Sequence, residues 1–153
     1  MVLSDRSFML IALEEAQKAA SLSEVPVGAL IVHEGQIIAR NHNRREIDHD
    51  PTAHAEILVL QEAAKELGRW RLSDCTLYVT LEPCPMCAGA LVMSRLGRLV
   101  YGSPDFRAGA VESLFNIPTH KDLNHQVEVT AGIEEMACRQ ILQDFFQKNP
   151  FKR

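Results

Sequence analysis

Two short clusters constrain this chain more than anything else in it: Asp50-Pro51-Thr52-Ala53-His54-Ala55-Glu56, and Thr80-Leu81-Glu82-Pro83-Cys84-Pro85-Met86-Cys87-Ala88-Gly89-Ala90. A His-x-Glu followed by Pro-Cys-x-x-Cys supplies three soft or borderline metal ligands and one carboxylate left over, the composition of a hydrolytic zinc site. The fold must then bring His54, Cys84 and Cys87 to one point. Cys84 and Cys87 stand three apart, so the first turn of a helix places both thiols on one face. Pro85 suits the first helical position, where its missing N–H would be unpaired anyway. Cys84 is expected to open a helix that Met86, Ala90 and Met93 continue at helical spacing, with the positive end of the helix dipole favouring thiolates.

His54 is likewise expected to open a helix. Asp50-Pro51-Thr52 is rich in turn and capping residues, and Ile57, Leu60, Ala64 and Leu67 follow on one stripe. Two helix N-termini would thus converge on one ion. Glu56 sets a geometric condition, because residues two apart point to roughly opposite sides of a regular helix. The pair serves one site only if His54 sits at the very end of the helix while Glu56 reaches over the first turn. Three protein ligands leave a fourth zinc position for water, whose pKa the ion brings towards about 7, and Glu56 would shuttle its proton. The competing reading is a structural zinc knuckle completed by Cys75, Cys138, His42 or His49.

The rest of the chain reads as alternating helices and strands. Residues 4–21 form an amphipathic helix with Ser4 as cap and Phe8, Ala12, Ala16 and Ala19 on one stripe. A hairpin follows, from Val27 to Val32 and from Gln36 to Asn41 around a turn at Glu34-Gly35. Thr76–Leu81 is a third strand leading into the cysteine helix, and Leu99–Gly102 and Gln126–Thr130 supply two more. A final helix spans Glu134–Gln147, with Ala137, Ile141 and Phe145 at helical spacing and Pro150 marking its end. The expected fold is α/β: a three-layer α/β/α sandwich around a five-stranded mixed sheet. The gap between the last two strands is long enough for a helical crossover and a parallel pairing. Within it, Ser103–Leu123 is the longest irregular stretch, where Pro104, Gly109 and Pro118 break periodicity.

At these residues the chain resembles the cytidine deaminase superfamily, and within it the tRNA adenosine deaminases of the TadA type. The resemblance runs through Glu24-Val25-Pro26-Val27-Gly28-Ala29, Asn43-Arg44, both zinc clusters, Asp105 with Gly109-Ala110, Asn124-His125 and Asp144-Phe145-Phe146. The zinc clusters carry the superfamily and the accessory motifs the tRNA branch, so the resemblance implies a cytidine deaminase-like fold whose last two strands pair in parallel. It also implies one zinc ion per subunit, a homodimer joined through the cysteine-helix region, and hydrolytic conversion of adenosine to inosine at the wobble position of a tRNA anticodon stem-loop. The base would be extruded into the pocket and attacked at C6, Glu56 delivering protons to a ring nitrogen and to departing ammonia. Residue by residue, Val27 and His54 would pack against the base and Asn43 and the Ala55 N–H would bond its edge. Asp105, Arg107 and Asn124 would lie at the rim near flanking nucleotides.

Plainer roles compete: Val27 as core, Asn43 as a turn asparagine, Asp105 as a cap. Arg107 departs from the lysine of the best-known bacterial pattern, though a guanidinium also meets phosphate. Two other functions remain open: a deaminase of a free base, nucleoside or nucleotide of the cytosine, guanine or cytidine type, and a zinc-stabilised RNA-binding module without catalysis.

With 153 residues, 46% of them hydrophobic, the chain suits one domain spanning 1–153. It shows neither a secretory leader nor a membrane span, and is expected to be cytoplasmic. Cys75 and Cys138 read as reduced core residues. A net charge of −4 opposes polyanion binding, so a local patch drawn from Arg44, Arg45, Arg95, Arg98, Arg107, Lys121, Lys148, Lys152 and Arg153 must supply it.

Overall fold

The computed structural model describes residues 3–152. In chain order the elements are α1 (Asp5–Ser21), β1 (Gly28–His33), β2 (Gln36–His42), α2 (Ala55–Leu67), β3 (Cys75–Leu81), α3 (Pro85–Met93), β4 (Arg98–Ser103), β5 (Glu128–Ala131) and α4 (Glu135–Lys148). The strands make one sheet of order β2-β1-β3-β4-β5. β1 is antiparallel to β2 and β3, whereas β3–β4 and β4–β5 are parallel, as expected of a mixed sheet. Ser4 caps α1, its hydroxyl accepting the Ser7 N–H at 3.2 Å. Glu34 and Gly35 both take positive φ, +50° and +76°, the pair a tight hairpin needs to match the strand twist.

Alternate residues of the central strands feed opposite faces. Ala29, Ile31, Leu77, Val79 and Leu99 pack with Val59 and Ala63 of α2 and Leu91 of α3. Leu30, Val32, Tyr78 and Val100 pack with Phe8, Met9 and Ala12 of α1 and Cys138 of α4. Helices therefore cover both faces, giving three layers. Gly28 permits the closest of these approaches: a Cβ there would lie 2.0 Å from the Ala12 carbonyl oxygen and 2.5 Å from the Ala16 nitrogen. Cys75 and Cys138 are buried free thiols. Among the described residues no helix is long and apolar enough to cross a membrane.

The helical stripes differ from expectation. α2 buries Ala55, Glu56, Val59, Leu60 and Ala63, so of Ile57, Leu60, Ala64 and Leu67 only Leu60 is fully inside. α3 buries Cys87, Ala88, Leu91 and Val92, leaving Met86 and Ala90 half-buried and Met93 69% exposed. Both helices carry apolar residues on most sides, so spacing alone does not select the inward face. In α4, Cys138 and Phe145 are buried while Ala137 is exposed. The parallel crossover into β5 also differs, because it holds no α-helix, only a 3-10 turn at Ile117–Thr119. Its proline and glycine punctuation prevents a longer helix, and part of its backbone is bonded instead by one buried carboxylate, described below.

Candidate active site

The site lies at the carboxyl ends of the parallel strands β3 and β4, where open α/β sheets leave a crevice. β3 runs through Glu82 and Pro83 into Cys84, which caps α3 in extended conformation (φ −74°, ψ 173°), with Pro85 at the first helical turn. His54 caps α2 in the same way (φ −76°, ψ 150°). Neither side chain makes a capping bond. Because His54 stands just outside its helix, Glu56 can share its site. The geometric condition read from the sequence is met.

His54 Nδ1 lies 3.5 Å from Cys84 Sγ and 3.5 Å from Cys87 Sγ. The three ligand atoms fall within 4.8 Å of one another and could hold a metal ion. Among the described residues no fourth cysteine or histidine joins them. His42 instead faces Glu15 at 3.1 Å, and His49 is exposed. The fourth ligand that a structural knuckle requires is therefore not supplied by the candidates named for it.

Electrostatics favour cation capture. The Cys84 thiol is drawn down to about 4, first by the Cys87 thiol donating to it and then by the His54 ring, against the opposing effect of burial. Cys87 is pushed up because it is that donor and is buried. His54 is raised by its bond to Cys84. A metal ion would displace the retained protons. Glu56, 4% exposed, has its carboxyl raised chiefly by burial, the environment of a group that holds and releases a proton.

His54, Glu56 and Cys84 line an open pocket of about 580 Å³, with Cys87 buried behind them. Val27, Asn43, Ala55, Asp105 and Arg107 also line it. Val27 is half-buried, packing against the core while also lining the pocket. Asn43 is committed locally: its Nδ2 donates to the Val25 carbonyl at 3.2 Å and its Oδ1 accepts the Arg45 N–H at 3.1 Å. One amide proton and one lone pair remain for a ligand. Ala55, first in α2, offers an N–H without an intrahelical partner. Asp105 is a turn residue as well as a rim residue, its Oδ1 accepting the N–H groups of Arg107 (3.0 Å) and Ala108 (3.2 Å). Asn124 is the exception. It is exposed, lies in the bend before β5 and does not line the pocket, because the crossover has already left the site there.

Several supporting residues escaped the sequence reading. Glu82, 2% exposed, accepts the backbone N–H groups of Asp105 (3.0 Å), Val111 (3.0 Å), Glu112 (2.9 Å) and Ser113 (3.0 Å), and the Ser113 hydroxyl. Burial would raise its carboxyl, and these donors together lower it. Gly109 must be glycine beside it, since a Cβ would come within 2.4 Å of the Glu82 carboxyl carbon. Glu24, 1% exposed, accepts the N–H groups of Glu46 (3.0 Å) and Ile47 (2.8 Å), fixing the loop after Asn43. α4 supplies a wall through Arg139, Leu142, Gln143 and Phe146. Lys152 closes the tail onto this rim, bonded to Glu46 (2.6 Å) and the Ser23 carbonyl (2.8 Å). The only signals for this were the Phe145-Phe146 pair, one ring for the core and one for the site, and the basic C-terminus.

Of the proposed basic patch, Arg44 pairs with Asp48 and Arg98 with Asp5, while Arg95 bonds the Val92 carbonyl. Among the described residues Arg45, Arg107, Lys121 and Lys148 have no ion pair. Arg153 lies outside the described residues.

Comparison with known proteins agrees with this geometry. The family model of MafB19-like deaminases matches residues 3–149. A tRNA-specific adenosine deaminase of Bacillus subtilis is 49% identical over 144 residues, 94% of this chain and 89% of that one. Its counterpart in Haemophilus influenzae is 48% identical over 94% of this chain and 84% of its own. A solved structure from studies of A-to-I editing by tRNA:A34 deaminases at the wobble position of transfer RNA superposes with a TM-score of 0.85 at 45% identity, covering 88% of this chain and 98% of that one. A guanine deaminase from Nitrosomonas europaea gives 0.79 at 26% identity, covering 95% and 86%.

Proposed function

The chain belongs to the MafB19-like deaminases and, among them, to the tRNA-specific adenosine deaminases, and from that premise we propose that it hydrolyses adenosine to inosine at the wobble position of a tRNA anticodon. The observation that carries this reading is the His54–Cys84–Cys87 trio beside buried Glu56, with His54, Cys84 and Glu56 lining one pocket.

Zinc is the ion that suits the trio. Tetrahedral coordination with bonds of about 2.3 Å to sulfur and about 2.0–2.1 Å to nitrogen puts the N–S edges at about 3.5 Å, the separation found here. When bound, zinc supplies Lewis acidity that makes water a nucleophile source at neutral pH. The chain does the rest. Val27 and the His54 ring flank the base, and Asn43 and the Ala55 N–H bond its edge. Glu56 takes a proton from the attacking water, passes it to N1 of the adenine, and then moves the second proton to the departing N6 amine. Water adds at C6 and ammonia leaves, so the step balances without a further reactant. The raised Glu56 carboxyl exchanges protons with groups that a fully exposed carboxylate would serve poorly.

A polynucleotide substrate accords with a pocket that is open rather than sealed, lined by Arg45 and Arg107, which have no ion pair among the described residues. The active form is proposed to be a homodimer, since α3 leaves Met86 and Ala90 half-buried and Met93 exposed. Asn124 would then meet RNA outside the pocket. The test is inosine formation in an unmodified tRNA with adenosine at the wobble position, run beside free adenosine, cytidine, cytosine and guanine. Inosine in the tRNA alone is expected. Turnover confined to a monomer would overturn the RNA reading while leaving the deaminase chemistry.

A further inference from the structure

Phe106 is 76% exposed yet lines the pocket. It stands at the tip of a turn that is braced from three sides. The Asp105 carboxylate accepts the Arg107 and Ala108 N–H groups, the Asp105 carbonyl accepts the Gly109 N–H at 2.8 Å, and the Asp105 N–H is anchored on Glu82. An aromatic ring on such a support binds without losing much loop entropy. Arg107 follows it directly, and among the described residues its guanidinium has no ion pair. A ring face for a base beside a free cation for its phosphate is the pairing by which proteins hold unstacked nucleotides.

We propose that Phe106 is a stacking platform for the base of one nucleotide flanking the extruded adenosine, with Arg107 meeting the adjoining phosphate. This rests on the tRNA reading above. Substrate in which a base has been flipped out leaves its neighbours with an uncovered face, and Phe106, more exposed than the half-buried Phe146 of the same lining, presents a ring that can cover one. The platform acts on binding and register, while Glu56 acts on the chemistry.

The test uses the full chain and an anticodon stem-loop RNA with adenosine at the wobble position, measuring kcat and KM for the parent, Phe106→Ala, Phe106→Leu and Phe106→Tyr. Phe106→Ala is expected to raise KM by about tenfold to a hundredfold, with kcat within about twofold. Phe106→Leu keeps apolar bulk without a π face and should resemble Phe106→Ala, whereas Phe106→Tyr should resemble the parent. An abasic nucleotide on one side of the adenosine should raise the parent's KM to that of Phe106→Ala and leave Phe106→Ala unchanged. Equal KM for the parent and Phe106→Ala, parent-like behaviour of Phe106→Leu, or equal abasic sensitivity in both proteins would each overturn the platform alone. No inosine from the parent would overturn the tRNA reading and the platform with it.

Discussion

Two glutamates of opposite habit decide what single residues do here. Glu56 is buried with its carboxyl raised, chiefly by burial, whereas Glu82 is buried with its carboxyl lowered by a ring of donors. Replacing Glu56 by Gln keeps the shape and removes the proton carrier. Inosine formation should fall by at least about a hundredfold while metal content, read by atomic absorption, stays at one ion per chain; persistent turnover would remove Glu56 from the mechanism. Replacing Glu82 by Ala strands several N–H groups of the rim loop. A loss of about 3 kcal/mol in urea unfolding is expected, with faster hydrogen exchange at Val111, Glu112 and Ser113. Unchanged exchange there would show that the carboxylate does not hold the loop. The sequence displays both glutamates inside conspicuous motifs, but only Glu56 advertises a role. That of Glu82 depends on amides more than twenty positions away, and no local pattern encodes such a partner set.

At the scale of elements, α1 is tied to β2 through a buried acid. Glu15 of α1, 3% exposed, meets Lys18 (2.8 Å), Arg40 (2.7 Å) and His42 (3.1 Å), with Glu14 also on Arg40. Burial works to raise its carboxyl, and these partners overcome it, drawing it down to about 2 from an ordinary 4.5. A folded-state pKa below the unfolded one stabilises the fold above about pH 4.5, and that contribution fades as pH falls towards 2. Glu15→Gln should therefore cost about 3 kcal/mol at pH 7 and progressively less below pH 4.5, converging on the parent near pH 2. A constant deficit across that range would show that packing, not charge, makes the tether. Gly28→Ala addresses the same junction. Its methyl would strike the α1 backbone, and a thermal midpoint lowered by an amount equivalent to about 2–3 kcal/mol is expected. The helices themselves were legible in extent from caps and spacing, yet the inward faces of α2 and α3 were not, since nearly every direction around them offers an apolar side chain.

For the molecule as a whole, an ion held by His54, Cys84 and Cys87 would be a cross-link between the starts of α2 and α3. Stripping the ion with a chelator should abolish inosine formation and lower the thermal midpoint by several degrees, and zinc should restore both. A midpoint insensitive to chelation would mean that the trio holds no ion that matters to the fold. The net charge of −4 is no obstacle to RNA if the cations at the pocket, Arg45 and Arg107, act locally.

The sequence by itself determined the three layers, the parallel pairing of the last two strands and the grouping of His54, Cys84 and Cys87, because helix periods, strand alternation, gap length and ligand spacing are local quantities written along the chain. Only the tertiary structure decided that α4 and Lys152 wall the pocket, that Glu82 and Glu24 hold its loops, that Asn124 lies elsewhere, and that Phe106 stands exposed at the mouth. Each of those depends on the packing of segments distant in the chain, where burial and hydrogen-bond partners are settled by three-dimensional proximity rather than by spacing.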